Sequence, residues 1–309
     1  MTVAREDDDS SETRRLLASL RLTRPVAIRW HLVSTAGFFA FAYLFGVVLE
    51  LVSGDPLEPI TIAAASSLEV LAGATLFVGL LVLVVVPHEL LHGAFMARYD
   101  GRPAYGVGVS RFVLPFAYTR SEGTGYTRNQ MLAVLLAPCA IITAVGLAAL
   151  VVVRSPLVLV PLAANAAGSV GDLWMAGVLA RYPSGVRVGE LPDGTQGLGI
   201  YGSPSDRPPR RLPLEDALGT FVYGASGTFV FVVLTLAASV LASLATRSGD
   251  VVLGDPDGGW FLFRHELDPT GYGASFELGF PVLLGLSALG GLAWTAVAAF
   301  RSRLARTKP

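Results

Sequence analysis

Six apolar stretches, each close to or beyond the roughly 20 residues needed to cross a bilayer, decide most of what this chain can fold into. They run from Ile28 to Val52, from about Glu69 to Ala97, from Met131 to Val153, from Leu157 to Ala180, from Gly219 to Ala245 and from Pro281 to Phe300. Hydrophobic residues make up 52% of the chain and charged residues 15%, and the mean hydropathy is +0.57, which excludes an ordinary water-soluble globule. The expected fold class is an all-α integral membrane protein of about six transmembrane helices, with a small cytoplasmic β-hairpin and an outer-loop hairpin in its connections.

Charge divides the chain further. Residues 1–27 are a polar segment of mixed sign, residues 28–300 the six-helix membrane domain, and residues 301–309 a basic tail. The N-terminal segment leads into a long apolar run with no small-residue cleavage site, so no cleaved signal peptide is expected. A net charge of −1 offers no basic surface for nucleic acid, and the lipid bilayer is the expected surrounding partner. Cys139 is the single cysteine, which excludes an internal disulfide and a cysteine-based zinc cluster. It reads as a small packing residue.

Arginines alternate between the spans. The N-terminal segment is rich in them, and the loop from Ser53 to Leu68 has none. Arg98 to Arg128 carries five, Arg154 alone marks the next turn, and Arg181 to Asp216 carries five again. The loop holding Asp250, Asp255, Asp257, Glu266, Asp268 and Glu277 is acidic, and the tail is basic. By the positive-inside rule, the protein is expected in the cell membrane with both termini cytoplasmic and six crossings between them.

Where the second apolar run meets polar sequence stands His88-Glu89-Leu90-Leu91-His92. Random placement of the 4 histidines and 11 glutamates would produce such a spacing roughly 0.002 times per chain, so composition does not account for it. Residues four apart share a helix face, so both imidazoles can converge on one metal ion. Glu89 can then act as general base toward a water held there. Ionisable groups at membrane depth are costly and usually functional, which favours a metal site over two satisfied structural histidines.

The topology supplies an independent candidate for the third ligand. His92 and His88 lie six and ten residues before Arg98, and Asp172 lies nine before Arg181. At 1.5 Å per residue all three fall roughly 9–15 Å from the cytoplasmic boundary on helices that run the same way. Asp172 is thus either a metal ligand or a cap on a helix break at Gly168-Ser169-Val170-Gly171. Asn165, seven residues earlier, could contact a substrate carbonyl, orient a ligand or form an interhelical hydrogen bond. Two histidines and a carboxylate leave one position open, as in catalytic zinc, so one Zn2+ per chain is expected.

Several local features accompany the site. Tyr105 to Val109 and Phe112 to Tyr118 read as a short hairpin, and a second is expected around Asp255-Pro256-Asp257-Gly258. Capping boxes stand at Ser66 with Glu69 and at Thr127 with Gln130. Ser287, Gly291 and Thr295 form a small-residue stripe suited to close helix contact. His31, after Arg29-Trp30, reads as an interfacial anchor. His265, in the outer loop, lies on the wrong side for the site.

Across Val85 to Tyr201 the chain resembles a family of membrane zincin metallopeptidases distantly related to the site-two proteases. The resemblance rests on His88-Glu89-Leu90-Leu91-His92-Gly93, on Ala137-Pro138, on Asn165 through Asp172 and on Asp193 to Tyr201. It implies a zincin-like core over about 69–201, ligands His88, His92 and Asp172, catalytic Glu89, and Asn165 in substrate binding. No proline separates Asn165 from Asp172, and Leu173 stands where site-two proteases carry glycine. The expected function is zinc-dependent hydrolysis of peptide bonds in membrane-associated proteins. The rival expectations are a metal-binding multi-pass protein without hydrolytic activity, in a scaffold or transport role, and a metal-free structural bundle.

Overall fold

The computed structural model describes residues 14–56, 60–63, 67–109, 115–121, 125–192, 197–210, 213–246, 249–267 and 273–306. In chain order the elements are β1 (Arg15–Arg21), α1 (Arg24–Ser53), β2 (Ile60–Ala63), α2 (Ser67–Arg98), β3 (Pro103–Val109), β4 (Pro115–Ser121), β5 (Tyr126–Thr127) and α3 (Arg128–Val153). A 3-10 turn, Pro156–Val158, leads into α4 (Leu159–Gly168) and α5 (Val170–Ala180), followed by β6 (Arg187–Gly189), β7 (Gly197–Gly202) and α6 (Pro213–Thr246). The chain closes with β8 (Val251–Asp255), β9 (Trp260–Leu267), β10 (Gly273–Leu278) and α7 (Phe280–Arg306).

Among the described residues, six helical spans are long and apolar enough to cross a membrane: Arg24–Ser53, Leu71–Arg98, Arg128–Val153, Pro156–Ala180, Leu214–Ser243 and Phe280–Ala305. This is a multi-pass membrane protein. Outward residues such as Leu76, Leu83, Val145, Phe231 and Leu234 are exposed apolar side chains, the surface that lipid requires. The expected all-α class is nevertheless too simple. Two four-stranded sheets, β1-β7-β6-β5 and β2-β10-β9-β8, accompany the helices and the β3–β4 pair. The strands are short, and three of the pairings, β1–β7, β5–β6 and β2–β10, join segments far apart in the sequence, so no local pattern announces those partners.

The chain divides into two compact units, the first made of residues 1–24, 89–138 and 171–210. Here β1 pairs antiparallel with β7 from Arg15↔Gly202 to Arg21↔Gly197, although the two lie at opposite ends of the unit's sequence. Its core gathers Met131, Val134 and Leu135 of α3, Ala176 and Leu179 of α5, and Tyr126, Val188 and Ile200 of the sheet. The helical members recur at three- and four-residue spacing, the stripe that lets a helix bury one face. The Thr127–Gln130 capping box is present: the Thr127 amide donates to Gln130 Oε1 at 2.8 Å, and the Gln130 amide donates to Thr127 Oγ1 at 3.3 Å. Ser66, of the other expected box, lies outside the described residues, as do Phe112 to Leu114 of the expected hairpin and Asp193 to Gln196.

The second unit holds residues 25–88, 139–170 and 211–309. One cluster joins Phe45 and Leu49 of α1 to Leu150, Leu162 and Ala166, and another joins Ala36, Phe229 and Leu283. The small-residue stripe on α7 does what its composition suggests. A Cβ at Gly291 would meet the Phe221 carbonyl oxygen at 2.8 Å, and one at Gly224 would meet the Gly291 Cα at 3.2 Å, so α6 and α7 touch backbone to backbone. The hairpin expected around Asp255-Pro256-Asp257-Gly258 is also present. β8 and β9 are joined through residues 256–259, and Asp255 Oδ1 accepts from the Gly258 amide at 3.0 Å.

Candidate metal centre

Helix α2 carries His88, Glu89 and His92 on its last turns. Pro87, immediately before them, cannot donate to the carbonyl four residues back and so loosens the helix where the motif begins. The helix stops at Arg98 because Asp100 takes a left-handed conformation, φ 62°, and the Gly101 amide turns back to the Met96 carbonyl at 3.0 Å. Both histidines are buried and Glu89 is half-buried.

Within the first unit, His92 Nδ1 lies 2.8 Å from the Val134 carbonyl oxygen. A carbonyl only accepts, so Nδ1 carries the proton and Nε2 keeps its lone pair. That Nε2 lies 3.4 Å from Asp172 Oδ2. Two ligands at 2.0–2.1 Å from a tetrahedral zinc would stand about 3.3 Å apart, so the pair already has the spacing of neighbouring zinc ligands. Asp172 sits in the first turn of α5, just beyond the helix break at Ser169, where backbone amides favour an anion.

The acceptor of the His92 proton has its own explanation. In a regular helix the Val134 carbonyl would bond the amide of residue 138, but residue 138 is Pro138 and has none. Proline therefore releases the oxygen that His92 uses. The Ala137-Pro138 element thus has a local physical role.

Within the second unit, His88 Nδ1 lies 3.1 Å from Asn165 Oδ1. The amide cannot be turned round, because Asn165 Nδ2 donates to the Cys139 carbonyl at 3.3 Å and to Thr143 Oγ1 at 3.1 Å. With the oxygen end facing His88, its Nδ1 must be the donor, and again Nε2 is left for a metal. Asn165 is 1% exposed, and both ends of its amide are engaged inside the protein. These contacts fit the ligand-orienting role.

His88 stands one helical turn before His92 on the same helix. Among the described residues, His88, His92 and Asp172 are the group that could hold a metal ion, each offering one ligand atom. Residues 81–187 match a family described as "putative zincin peptidase". The matched stretch contains all three of these residues together with Glu89 and Asn165. No curated protein and no solved structure matches the chain. A zincin peptidase uses zinc, and the donor set of two imidazoles and one carboxylate is that of catalytic zinc sites.

One contact escaped the sequence altogether. Thr119 Oγ1, on β4, lies 2.7 Å from Glu89 Oε2 and 3.0 Å from the Glu89 carbonyl oxygen. Threonine in a strand carries no functional signal of its own, and only the folded hairpin brings it to the motif. The remaining histidines stand apart from this chemistry. The exposed His31 bonds the Ala27 carbonyl through Nδ1 at 2.7 Å within α1, and the His265 ring nitrogens face the Ser275 carbonyl on β10 and Ser243 Oγ on α6.

Proposed function

We propose that the protein is a zinc-dependent metallopeptidase embedded in the membrane, hydrolysing peptide bonds of membrane-associated proteins at a site that opens toward the cytoplasm. The observation that carries this reading is the state of the imidazoles. His88 and His92 each set Nδ1 against a carbonyl oxygen, to which it donates a hydrogen bond, so Nε2 of each ring is left for a metal, and an aspartate lies at ligand spacing from one of them. A purely structural histidine has no need for an Nε2 facing a carboxylate at membrane depth.

In this reading His88, His92 and Asp172 hold the zinc, Asn165 and Val134 orient the two rings, and Glu89 handles protons. Zinc, when bound, supplies a Lewis acid that polarises a carbonyl and acidifies a water. The half-buried Glu89 carboxylate accepts the proton of the attacking water and returns it to the leaving amine. The arginine pattern supports cytoplasmic termini, which puts the C-terminal end of α2, and with it the motif, on the cytoplasmic side.

The test uses the purified full chain, loaded with zinc in detergent and incubated with detergent-solubilised membrane proteins, new N-termini being read by mass spectrometry. Wild type is expected to generate termini that the Glu89→Gln variant does not, while both retain one zinc. Stoichiometric zinc with no Glu89-dependent termini would favour a metal-binding protein without hydrolytic activity. Absence of zinc from wild type would remove both readings.

A further inference from the structure

We propose that Thr119 is a positioning residue that aims the Glu89 carboxylate, and that the β3–β4 hairpin exists beside the motif to deliver it. The inference rests on the peptidase reading above.

A glutamate on a helix surface has three rotatable bonds and, left to itself, spreads over many rotamers. A general base must instead hold one oxygen within hydrogen-bond reach of the proton it takes. Thr119 supplies the restraint. Its hydroxyl sits over both the side chain and the backbone of Glu89, at 2.7 Å from Oε2 and 3.0 Å from the carbonyl oxygen. The hydroxyl has one proton, and a bond to an ionised oxygen is roughly twice as strong as one to a neutral acceptor, so it goes to Oε2. With Oε2 tied, Oε1 is the oxygen presented for proton transfer.

The hairpin is seated firmly enough to do this. Tyr105 of β3 is the direct cross-strand partner of Thr119 on β4, so the two side chains leave the same face of the ribbon. Tyr105 lands on α2 as well: a Cβ at Gly93 would fall inside the Tyr105 phenol. The pair therefore grips α2 at residues 89 and 93, one turn apart, with His92 between them. Gly93 is needed for that approach, which gives a physical reason for a glycine directly after the second histidine.

The test compares Thr119→Val, which removes the hydroxyl with little change of shape, and Thr119→Ser, which keeps it. Full-length protein with 13C-labelled glutamate is examined by infrared spectroscopy, the Glu89 carboxylate band being identified by difference against Glu89→Gln. The peptide released most strongly by wild type among solubilised membrane proteins, synthesised, serves as substrate. Thr119→Val is expected to shift the Glu89 band and lower kcat roughly 10–100-fold with KM and zinc content unchanged, as misplacement of a reacting group does. Thr119→Ser is expected to keep the band and recover most of the rate. An unshifted band in Thr119→Val, a wild-type rate in that variant, or a serine variant as slow as the valine one would overturn the proposal. If wild type releases no peptide, the peptidase reading itself falls, and the role of Thr119 falls with it. A shifted band with a normal rate would remove the positioning role alone.

Discussion

Pro138 leaves the Val134 carbonyl oxygen without its helical donor, and His92 Nδ1 occupies the vacancy at 2.8 Å. A residue usually read as a helix disturbance is thus part of the apparatus that fixes a histidine tautomer. The consequence can be tested because the two effects of removing it have opposite signs. Pro138→Ala restores the amide, which will compete for the Val134 oxygen. Helix interiors disfavour proline by about 3 kcal/mol relative to alanine, so the metal-free variant should melt at a higher temperature than wild type. Its zinc affinity should fall by roughly 10–100-fold, the usual effect of losing a ligand's outer partner. Thermal unfolding and zinc competition against a chelator check the two halves, and a variant that gains stability without losing affinity would refute the link.

Asn165 separates two roles by experiment. If it orients His88, Asn165→Ala should weaken zinc binding by roughly 10–100-fold and leave the KM of the zinc-saturated enzyme unchanged. The Cys139 carbonyl and Thr143 hydroxyl lose a partner in the same variant, so stability should also drop by about 1–3 kcal/mol. A raised KM with undiminished zinc affinity would instead assign the amide to substrate.

How far the sequence carries these conclusions differs from residue to residue. His88, Glu89 and His92 are local in the chain, and their shared helix face follows from spacing alone. Asp172 is 80 residues from His92, yet counting helical rise from flanking arginines puts it at the same depth, because a bilayer gives separate spans a common ruler. The 3.4 Å approach to His92 agrees with that depth. Helix ends were less legible. Hydropathy marks the part of a helix that meets lipid, whereas α6 begins at Pro213, ahead of Gly219, with Glu215 and Asp216 in its first turn. Proline at a helix start and acids in the first turn are favourable on other grounds than hydropathy. The strands β1 and β7 could not be read, since each is stabilised by the other across 175 intervening residues and neither alternates clearly by itself. Thr119 belongs with them: its role lives entirely in tertiary contact.

Close contact between α6 and α7 makes a simpler prediction. At Gly291 a Cβ would lie 2.8 Å from the Phe221 carbonyl oxygen, and backbone cannot swing aside as a flexible side chain can. Gly291→Ala should therefore push α6 and α7 apart and destabilise the protein by about 1–3 kcal/mol, despite the better helix propensity of alanine. Gly285, on the same helix but with open space around its Cα, serves as the control: Gly285→Ala should be neutral or stabilising. Thermal unfolding of the two variants in one detergent decides the matter, and equal effects would mean that propensity rather than contact governs this helix.

His265 is buried at 1% exposure, and its environment predicts a structural role that leaves the metal untouched. Its Nδ1 lies 3.3 Å from the Ser275 carbonyl oxygen and its Nε2 lies 3.2 Å from Ser243 Oγ, a hydroxyl that also stands 3.0 Å from the Gly249 carbonyl oxygen. Ser243 thus ties the end of α6 to the residue that leads into β8. Ser243→Ala strands a buried ring nitrogen and should cost about 1–3 kcal/mol. Adding His265→Phe removes the stranded nitrogen and places a ring beside Phe263, already 6.3 Å away centroid to centroid, so the double variant should regain part of the loss. Zinc content should stay at the wild-type value in both variants. A fall in zinc on replacing His265 would contradict the ligand set of His88, His92 and Asp172, and a double variant no more stable than Ser243→Ala would show that the serine acts through something other than the imidazole.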